Sequence, residues 1–364
     1  MMKTSLKLSV VVGLATALIS LGATAAEKTF NVGGWAEYDI TTGKTTFTNG
    51  DAVGSRVIGT GSVKNTNEGG RVQLTAKARI DNDNGSFVEA VAAPRFYFTD
   101  GKQSDASGDQ YIMFGKKAWD IKLGRFEAID LFPYGKQAGR DTDVALQRAS
   151  DVKVSSDLKL AKTDNDATTN DASGGLGYQA NKMRGRNSDD VIQGAAHFNI
   201  GKTQVELGAG YKDANGTKTT GIRPVVKFDA GRFRVAAGYD SYKTKTPTTT
   251  TQNFQGFGVT AGTTIGTVSA NFNIAQGKDK ALANAPKMTS YGLNGSRGRF
   301  GAGYIYDKTA NVGKQDTFYG AYTVPLMGSK DASVTFAANT SKAKYTGGDT
   351  VKNNLLRARF NYNF

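Results

Sequence analysis

Charged side chains that recur at every second position are the residues of this sequence whose spacing best fits a chemical task. In residues 71–80, Arg71, Lys77 and Arg79 alternate with an apolar row that contains Val72 and Leu74. Because successive side chains of a β-strand point to opposite faces, the cations share one face and the apolar row occupies the other. A row of fixed cations attracts anions by Coulomb forces and breaks no covalent bond. The spacing therefore indicates sorting of solutes by charge.

The same alternation recurs along most of the chain. Residues 355–364, for example, set Leu356 and Phe360 against Arg357 and Arg359. Half of each such segment is too polar for a dry core. Counting these segments predicts sixteen strands, near residues 30–40, 70–81, 86–98, 110–117, 119–126, 190–199, 202–211, 219–228, 232–242, 253–263, 266–276, 287–294, 298–308, 317–325, 331–343 and 354–364.

The connections between these segments predict the fold class. Tight links, such as residues 201–202, alternate with longer polar links, such as residues 243–252. An even number of strands, each about 9–11 residues long, fits an all-β, antiparallel transmembrane barrel, which has no open edge in hydrocarbon. A soluble β-sandwich also alternates, but its strands are typically shorter and its loops vary at both ends. Residues 152–161 and 174–184 leave eighteen strands as an alternative.

Within such a barrel the polar faces point inward, and the alternation makes this lining basic. Twelve basic residues fall on polar faces, against the acids Glu89, Glu206 and Asp240. They are Arg71, Lys77, Arg79, Arg95, Lys122, Lys212, Arg223, Lys227, Arg234, Arg299, Arg357 and Arg359. The predicted basic wall of the narrow part consists of Arg71, Lys77, Arg79, Arg95, Lys122, Arg125, Arg357 and Arg359. This imbalance predicts a preference for anions.

One connection is far longer than the others. It spans residues 127–189, follows the fifth candidate strand and mixes apolar residues with charges of both signs. Loops of this length are usually functional or disordered, and the apolar residues favour a packed segment. We expect it to fold into the barrel and constrict it. The candidate constriction residues are Glu127, Asp130, Phe132, Tyr134, Lys136, Arg140, Asp141 and Asp143.

The first residues have the pattern of an export signal. Lys3 and Lys7 precede an apolar run of about a dozen residues, which is shorter than the roughly 20 of a membrane-spanning helix. The small residues Ala23 and Ala25 predict cleavage after Ala25, with cleavage after Ala26 as the alternative. The predicted organisation is a cleaved signal peptide, residues 1–25, and a single barrel domain, residues 26–364. The absence of cysteine excludes disulfides and thiolate metal sites.

Other chemistries find little support. His197 is the only histidine, and no serine is marked as its partner, so the hypothesis of a barrel hydrolase depends on His197 and Asn199 alone. Residues 81–85 imitate the start of a calcium loop, but the twelfth position is Ala92, so a hairpin turn is predicted. The cations are spread over many strands and do not form a patch for nucleic acid. We expect no enzyme activity, metal or cofactor.

The alternating strands, the long connection after the fifth strand and the terminal Phe364 together resemble the general porins of Gram-negative bacteria. The segment Leu131 to Gly135, followed by Asp141 and Thr142, resembles part of the motif of their third loop. The motif's glutamate has no clear counterpart here. Asp141 matches its acid.

The resemblance implies a passive channel for small hydrophilic solutes in the outer membrane, with an inward-folded third loop. It further implies a homotrimer, contact with membrane lipid and lipopolysaccharide, and recognition of Phe364 by the barrel-assembly machinery. A sugar-selective channel is the alternative, for which Trp35, Phe132 and Tyr134 supply aromatic rings.

Overall fold

The structure of the protein is a computed structural model. It describes residues 27–48, 61–99, 102–126, 128–129, 191–214, 216–281, 284–311, 313–348 and 350–364. Within this part of the chain, the regular secondary structure is antiparallel β-strand. No helix among these residues has the length and apolar character that crossing a membrane requires.

The described strands form one closed barrel. Its strands are β1 (Glu27–Thr48), β2 (Gly61–Asp81), β3 (Ser86–Thr99), β4 (Lys102–Lys116), β5 (Trp119–Arg125), β6 (Val191–Ile200), β7 (Thr203–Ala214), β8 (Thr217–Asp229), β9 (Phe233–Lys245), β10 (Thr250–Ile265), β11 (Val268–Asp279), β12 (Met288–Arg297), β13 (Phe300–Thr309), β14 (Gly313–Pro325), β15 (Ala332–Tyr345) and β16 (Thr350–Asn363). Each strand pairs with its neighbours in sequence, and β1 also pairs with β16. The closure satisfies the backbone groups that an open edge would leave unpaired.

The predicted sixteen-strand antiparallel barrel is confirmed, but several strands are longer than predicted. β1 extends to Thr48 and β2 begins at Gly61, whereas the alternation of apolar residues covers only 30–40 and 70–81. Apart from Phe47 and Val63 the additional residues are polar or glycine, so they lack the apolar row that marks a strand in sequence. Their backbones nevertheless continue the ladder, as the pairing of Lys44 with Lys64 shows. The segments 152–161 and 174–184 of the eighteen-strand alternative lie outside the described residues.

Large apolar side chains cover the outside of the barrel. On β1 the exposed residues Phe30, Val32 and Ile40 all belong to one alternating set, and the other strands repeat this arrangement. A surface of this kind is stable in hydrocarbon, which does not penalise exposed apolar atoms as water does.

Two outward-facing glycines make room for aromatic rings. A Cβ on Gly34 would lie 2.8 Å from the Cζ of Phe364, and one on Gly70 would lie 2.5 Å from the Cζ of Phe98. Both distances are too short for real atoms, so each ring lies directly over glycine backbone. Phe364 is also held at the closing seam by its backbone, because its N–H donates to the carbonyl of Gly34 at 3.0 Å.

We define the turn end of the barrel as the end that holds Glu27 and Phe364, and the loop end as the opposite one. The hairpin turn predicted at the turn end between β2 and β3 is confirmed. Gly85 has a φ of 74°, and its N–H donates to the carbonyl of Asn82 at 2.9 Å. Glycine adopts this left-handed conformation without steric cost.

Candidate functional site

The inside of the barrel is lined by the alternating set of side chains that does not face outward. On β1 this set contains Trp35, Glu37 and Asp39, which contact charged residues of the neighbouring strands β2 and β16. The interior is therefore a polar and charged surface enclosed by an apolar exterior. This arrangement fits a passage for hydrophilic solutes.

Two arginines lie over the ring of Trp35, an inward-facing residue of β1. The guanidinium carbon of Arg71 lies 4.8 Å from the ring centroid of Trp35, and that of Arg95 lies 5.5 Å away. Arg71 Nε is 2.5 Å from Glu37 Oε1, while Arg95 Nε and Nη2 donate to Gln73 Oε1 at 2.8 and 2.5 Å. Both guanidinium groups are thus fixed in place by cation–π and polar contacts.

The closing seam between β1 and β16 adds two more arginines. Their position follows from the register, which sets Arg359 opposite Asp39 and Arg357 opposite Thr41. Arg359 Nε donates to Asp39 Oδ1 at 2.5 Å, and its Nη1 lies 3.4 Å from Glu37. Arg357 Nε donates to the Thr41 hydroxyl oxygen at 3.3 Å. Around Trp35 the wall therefore carries four arginines, Arg71, Arg95, Arg357 and Arg359, and two acids, Glu37 and Asp39.

A second cluster lies nearer the turn end, on β2 and β3. Glu89 is buried and accepts contacts from Lys77 Nζ at 2.6 Å and Arg79 Nη1 at 3.3 Å. Arg79 also binds Asp81 at 2.8 Å and stacks over Phe87, with 3.9 Å to the ring centroid. These cations are neutralised locally, so they add less to the field of the interior than isolated charges would.

A row of hydrogen-bonded side chains, alternately acidic and basic, crosses the neighbouring strands β5 to β8. His197 Nδ1 lies 2.5 Å from Asp120 Oδ1 and His197 Nε2 lies 3.0 Å from Glu206 Oε2. Arg223 Nη1 then donates to Glu206 Oε1 at 3.0 Å. Because a carboxylate faces each ring nitrogen, neither nitrogen is left to take a proton from a serine hydroxyl, as a hydrolase would require.

Two members of this row of side chains also form hydrogen bonds with the first residues of the long connection. The Ile129 N–H donates to both carboxylate oxygens of Glu206 at 3.0 and 3.1 Å, and Arg223 Nη2 donates to the Ile129 carbonyl at 2.7 Å. Phe126, just before it, is only 1% exposed. The Ile129 side chain packs against a buried cluster made of Val225, Tyr242, Phe254, Ala275 and Met288. The connection therefore starts inside the barrel, on the wall formed by β8 to β12.

The residues of the predicted basic wall mostly point inward. Lys122 lies over the rings of Tyr111 and Phe126, at 3.8 and 4.8 Å from their centroids, and Arg125 is partly buried at the end of β5. The predicted constriction residues lie outside the described residues: Glu127, Asp130, Phe132, Tyr134, Lys136, Arg140, Asp141 and Asp143.

The sequence-based charge count omitted interior acids. Glu37, Asp39 and Asp120 contact interior cations or His197, so the lining is more balanced than twelve cations to three acids. Glu37 and Asp39 follow Trp35 at every second position, so their spacing in the sequence could have identified them as residues of the same inward face. Among the described residues, no group of three or more His, Cys, Asp or Glu side chains is placed to hold a metal ion.

Comparison with known proteins gives a consistent result. A family model described as porin-like glycoporin RafY matches residues 32–339 of the chain. A triple mutant of the Rhodopseudomonas blastica porin has a TM-score of 0.50 at 12% identity, and another triple mutant of that porin has 0.52 at 11%. Each alignment covers 92% of this chain and 100% of the other. At this identity the likeness concerns the fold alone. No curated protein matches the chain.

Proposed function

Because the chain belongs to the porin-like glycoporin RafY family of outer-membrane channels, we propose that it passes small hydrophilic solutes and ions by passive diffusion, with a preference for anions. The observation that carries this proposal is the sector around Trp35, where four arginines face two acids inside a closed barrel. Fixed charge of one sign raises the concentration of counter-ions in a confined space. No energy source is needed for such passage.

The proposal also covers the organisation of the chain and the partners of the barrel. We infer a cleaved signal peptide at residues 1–25, a barrel domain at residues 26–364 and an inward-folded loop at about 127–189. The partly buried position of Ile129 against the inner wall supports this fold of the loop. The proposed homotrimer and the contacts with lipopolysaccharide and the barrel-assembly machinery follow the resemblance to general porins.

Anion preference is tested by the reversal potential in a potassium chloride gradient. We expect an anion-selective potential that is reduced in the double variant Arg71→Gln, Arg95→Gln. One charge about 10 Å from an ion contributes about 0.4 kcal/mol in water, which is about a twofold change in ion concentration, so two charges give about fourfold. The effect should be largest below about 0.1 M salt, where the screening length exceeds about 10 Å.

The matched control for this experiment is the double variant Lys64→Gln, Lys344→Gln, which removes the same charge from the outside of the barrel. It should leave the reversal potential unchanged. A cation-selective parent channel at low salt would refute the anion preference, and a parent without conductance would refute the channel itself.

Sugar selectivity is the second candidate function. It is favoured by the description of the matching family as a glycoporin and by the inward position of Trp35, whose ring can stack on a pyranose. In the same bilayers, a bound sugar would interrupt the ion current in a concentration-dependent manner. A general diffusion channel would show no such block.

Recognition of Phe364 during assembly is a separate part of the proposal. Phe364→Ala should lower the amount of inserted barrel in cells but leave refolding in detergent nearly unchanged, because the backbone bonds between Gly34 and Phe364 do not need the ring. The control is Phe360→Ala, another outward-facing aromatic residue of β16. Equal losses of inserted protein in the two variants would show that Phe364 carries no special signal.

A further inference from the structure

The inner wall formed by β13, β14 and β15 places an aromatic ring beside an amide side chain. The register sets Tyr319 of β14 between Gly303 of β13 and Asn339 of β15. Tyr319 and Asn339 are only 6% and 7% exposed, whereas Phe318 and Phe336, at alternate positions of the same strands, are more than half exposed on the outside. The ring and the amide are therefore direct neighbours on the inner face of the sheet.

The ring of Tyr319 lies along this wall. A Cβ on Gly303 would be 2.4 Å from both the Cζ and the Oη of Tyr319, which is too close for real atoms. The phenol thus reaches across to β13 over bare glycine backbone and leans away from Asn339. One face of the ring rests on the sheet, and the other face is turned toward the axis of the barrel. This orientation suits offset stacking of a planar ring from a solute.

The amide of Asn339 has no hydrogen-bond partner among the described residues, at either Nδ2 or Oδ1. The adjacent hydroxyl groups of Thr317 and Ser341 do not serve it, because they bind each other at 2.8 Å. A buried polar group without a partner costs free energy, so such groups are rare in native structures. Asn339 therefore presents an N–H donor and an oxygen acceptor, side by side, to a solute on this wall.

Positive charge lies one step further along the same wall. Arg357 of β16 is opposite Ala337, the inward residue that precedes Asn339 on β15. Diagonal neighbours of this kind in a sheet are about 7–8 Å apart. Arg357 is one of the four arginines that share their sector with two acids, Glu37 and Asp39, so this sector keeps a surplus of two positive charges. A guanidinium group is well shaped to bind phosphate.

The ring, the amide and the guanidinium match the three parts of a nucleotide. Bases stack on aromatic side chains in proteins that bind single-stranded nucleic acid. An asparagine amide pairs through its donor and its acceptor with N7 and N6 of adenine. A phosphate one ribose away from the base then comes within reach of Arg357. A neutral sugar would make no use of the arginine, and a simple inorganic anion would make no use of the ring and the amide.

We propose that Tyr319, Asn339 and Arg357 form a binding site for a purine nucleoside monophosphate on the inner wall of the barrel. The inference rests on the proposed channel function, because the solute must enter the barrel to reach this wall. It narrows the solute class from small anions in general to anions that carry a planar ring with a donor and an acceptor at its edge.

Equilibrium dialysis tests the site by measuring binding of AMP, adenosine and ribose 5-phosphate to the refolded full-length barrel in neutral detergent. We expect AMP to bind more tightly than either fragment. Asn339→Ala should weaken AMP binding about tenfold, since a two-bond contact with a base is worth about that factor, and should leave ribose 5-phosphate binding unchanged. Arg357→Gln should weaken binding of AMP and ribose 5-phosphate but not of adenosine.

Variants of the ring and of the outer surface supply the controls. Tyr319→Leu removes the stacking surface and should weaken AMP binding about tenfold, whereas Tyr319→Phe keeps the ring and should retain binding. Asn354→Ala removes an exposed amide from the outward face of β16 and should bind AMP like the parent. Far-UV circular dichroism of each variant verifies that the barrel has formed.

Three results would overturn the proposal: equal AMP binding by Asn339→Ala and the parent, ribose 5-phosphate that binds as tightly as AMP, or maltose that displaces AMP at comparable concentration. The second result would mean that the wall recognises phosphate alone, and the third that it recognises sugar. Conductance of the parent in planar bilayers separates this proposal from the channel function. A conducting parent that does not bind AMP refutes only the site, and a parent that binds AMP without conducting refutes only the channel.

Discussion

Deletion of residues 131–141 should raise the single-channel conductance and admit larger neutral sugars. The reason is the position of the residues just before them: Phe126 and Ala128 are buried, and Ile129 is held inside the barrel by Glu206 and Arg223. We propose that the segment that follows Ile129 also lies inside the barrel and narrows it, and the narrowest cross-section limits permeation. Conductance in planar bilayers and liposome swelling with sugars of graded size measure the two effects.

The control for the deletion replaces the same residues with a glycine-serine segment of equal length. It keeps the chain length but removes the apolar and charged side chains, so we expect an intermediate conductance with more frequent current fluctuations. Unchanged conductance in a deletion variant that still folds would show that residues 131–141 do not narrow the channel.

Replacement of Arg223 by methionine should reduce the stability of the barrel by about 3–5 kcal/mol, the usual cost of leaving one buried charge without its partner. Arg223 and Glu206 are each only 1% exposed, and Arg223 neutralises a carboxylate that also binds His197 and the Ile129 N–H. Loss of the bond from Arg223 to the Ile129 carbonyl should also increase the current noise. Urea unfolding in lipid vesicles measures the first effect, and bilayer recordings measure the second.

The double variant Glu206→Gln, Arg223→Met tests whether the uncompensated charge of Glu206 causes the loss of stability. It removes both charges but retains an amide oxygen that accepts the Ile129 N–H, so most of the lost stability should return. If the double variant is less stable than Arg223→Met, the cost comes from packing around the guanidinium and not from the uncompensated charge.

The architecture of the barrel was predictable from the sequence because it depends on a local period. Side chains alternate across a strand whatever the strand pairs with, so the rows of Val72 and Leu74 and of Arg71 and Lys77 are visible in the printed chain. The number of strands and the inward position of most of the basic wall followed from this period. The mostly polar ends of β1 and β2 were missed, because such a segment has no alternating apolar row to detect.

The pairing of the interior charges was decided by the tertiary structure alone. Arg359 and Asp39 are 320 residues apart and meet only because the barrel closes β16 against β1 in one register. In the same way, the side chains of Asp120, His197 and Glu206 form a hydrogen-bonded row because β5, β6 and β7 are adjacent. Glu206 then positions Ile129. Alternation assigns a side chain to a face, but only closure of the sheet determines which side chain lies beside it.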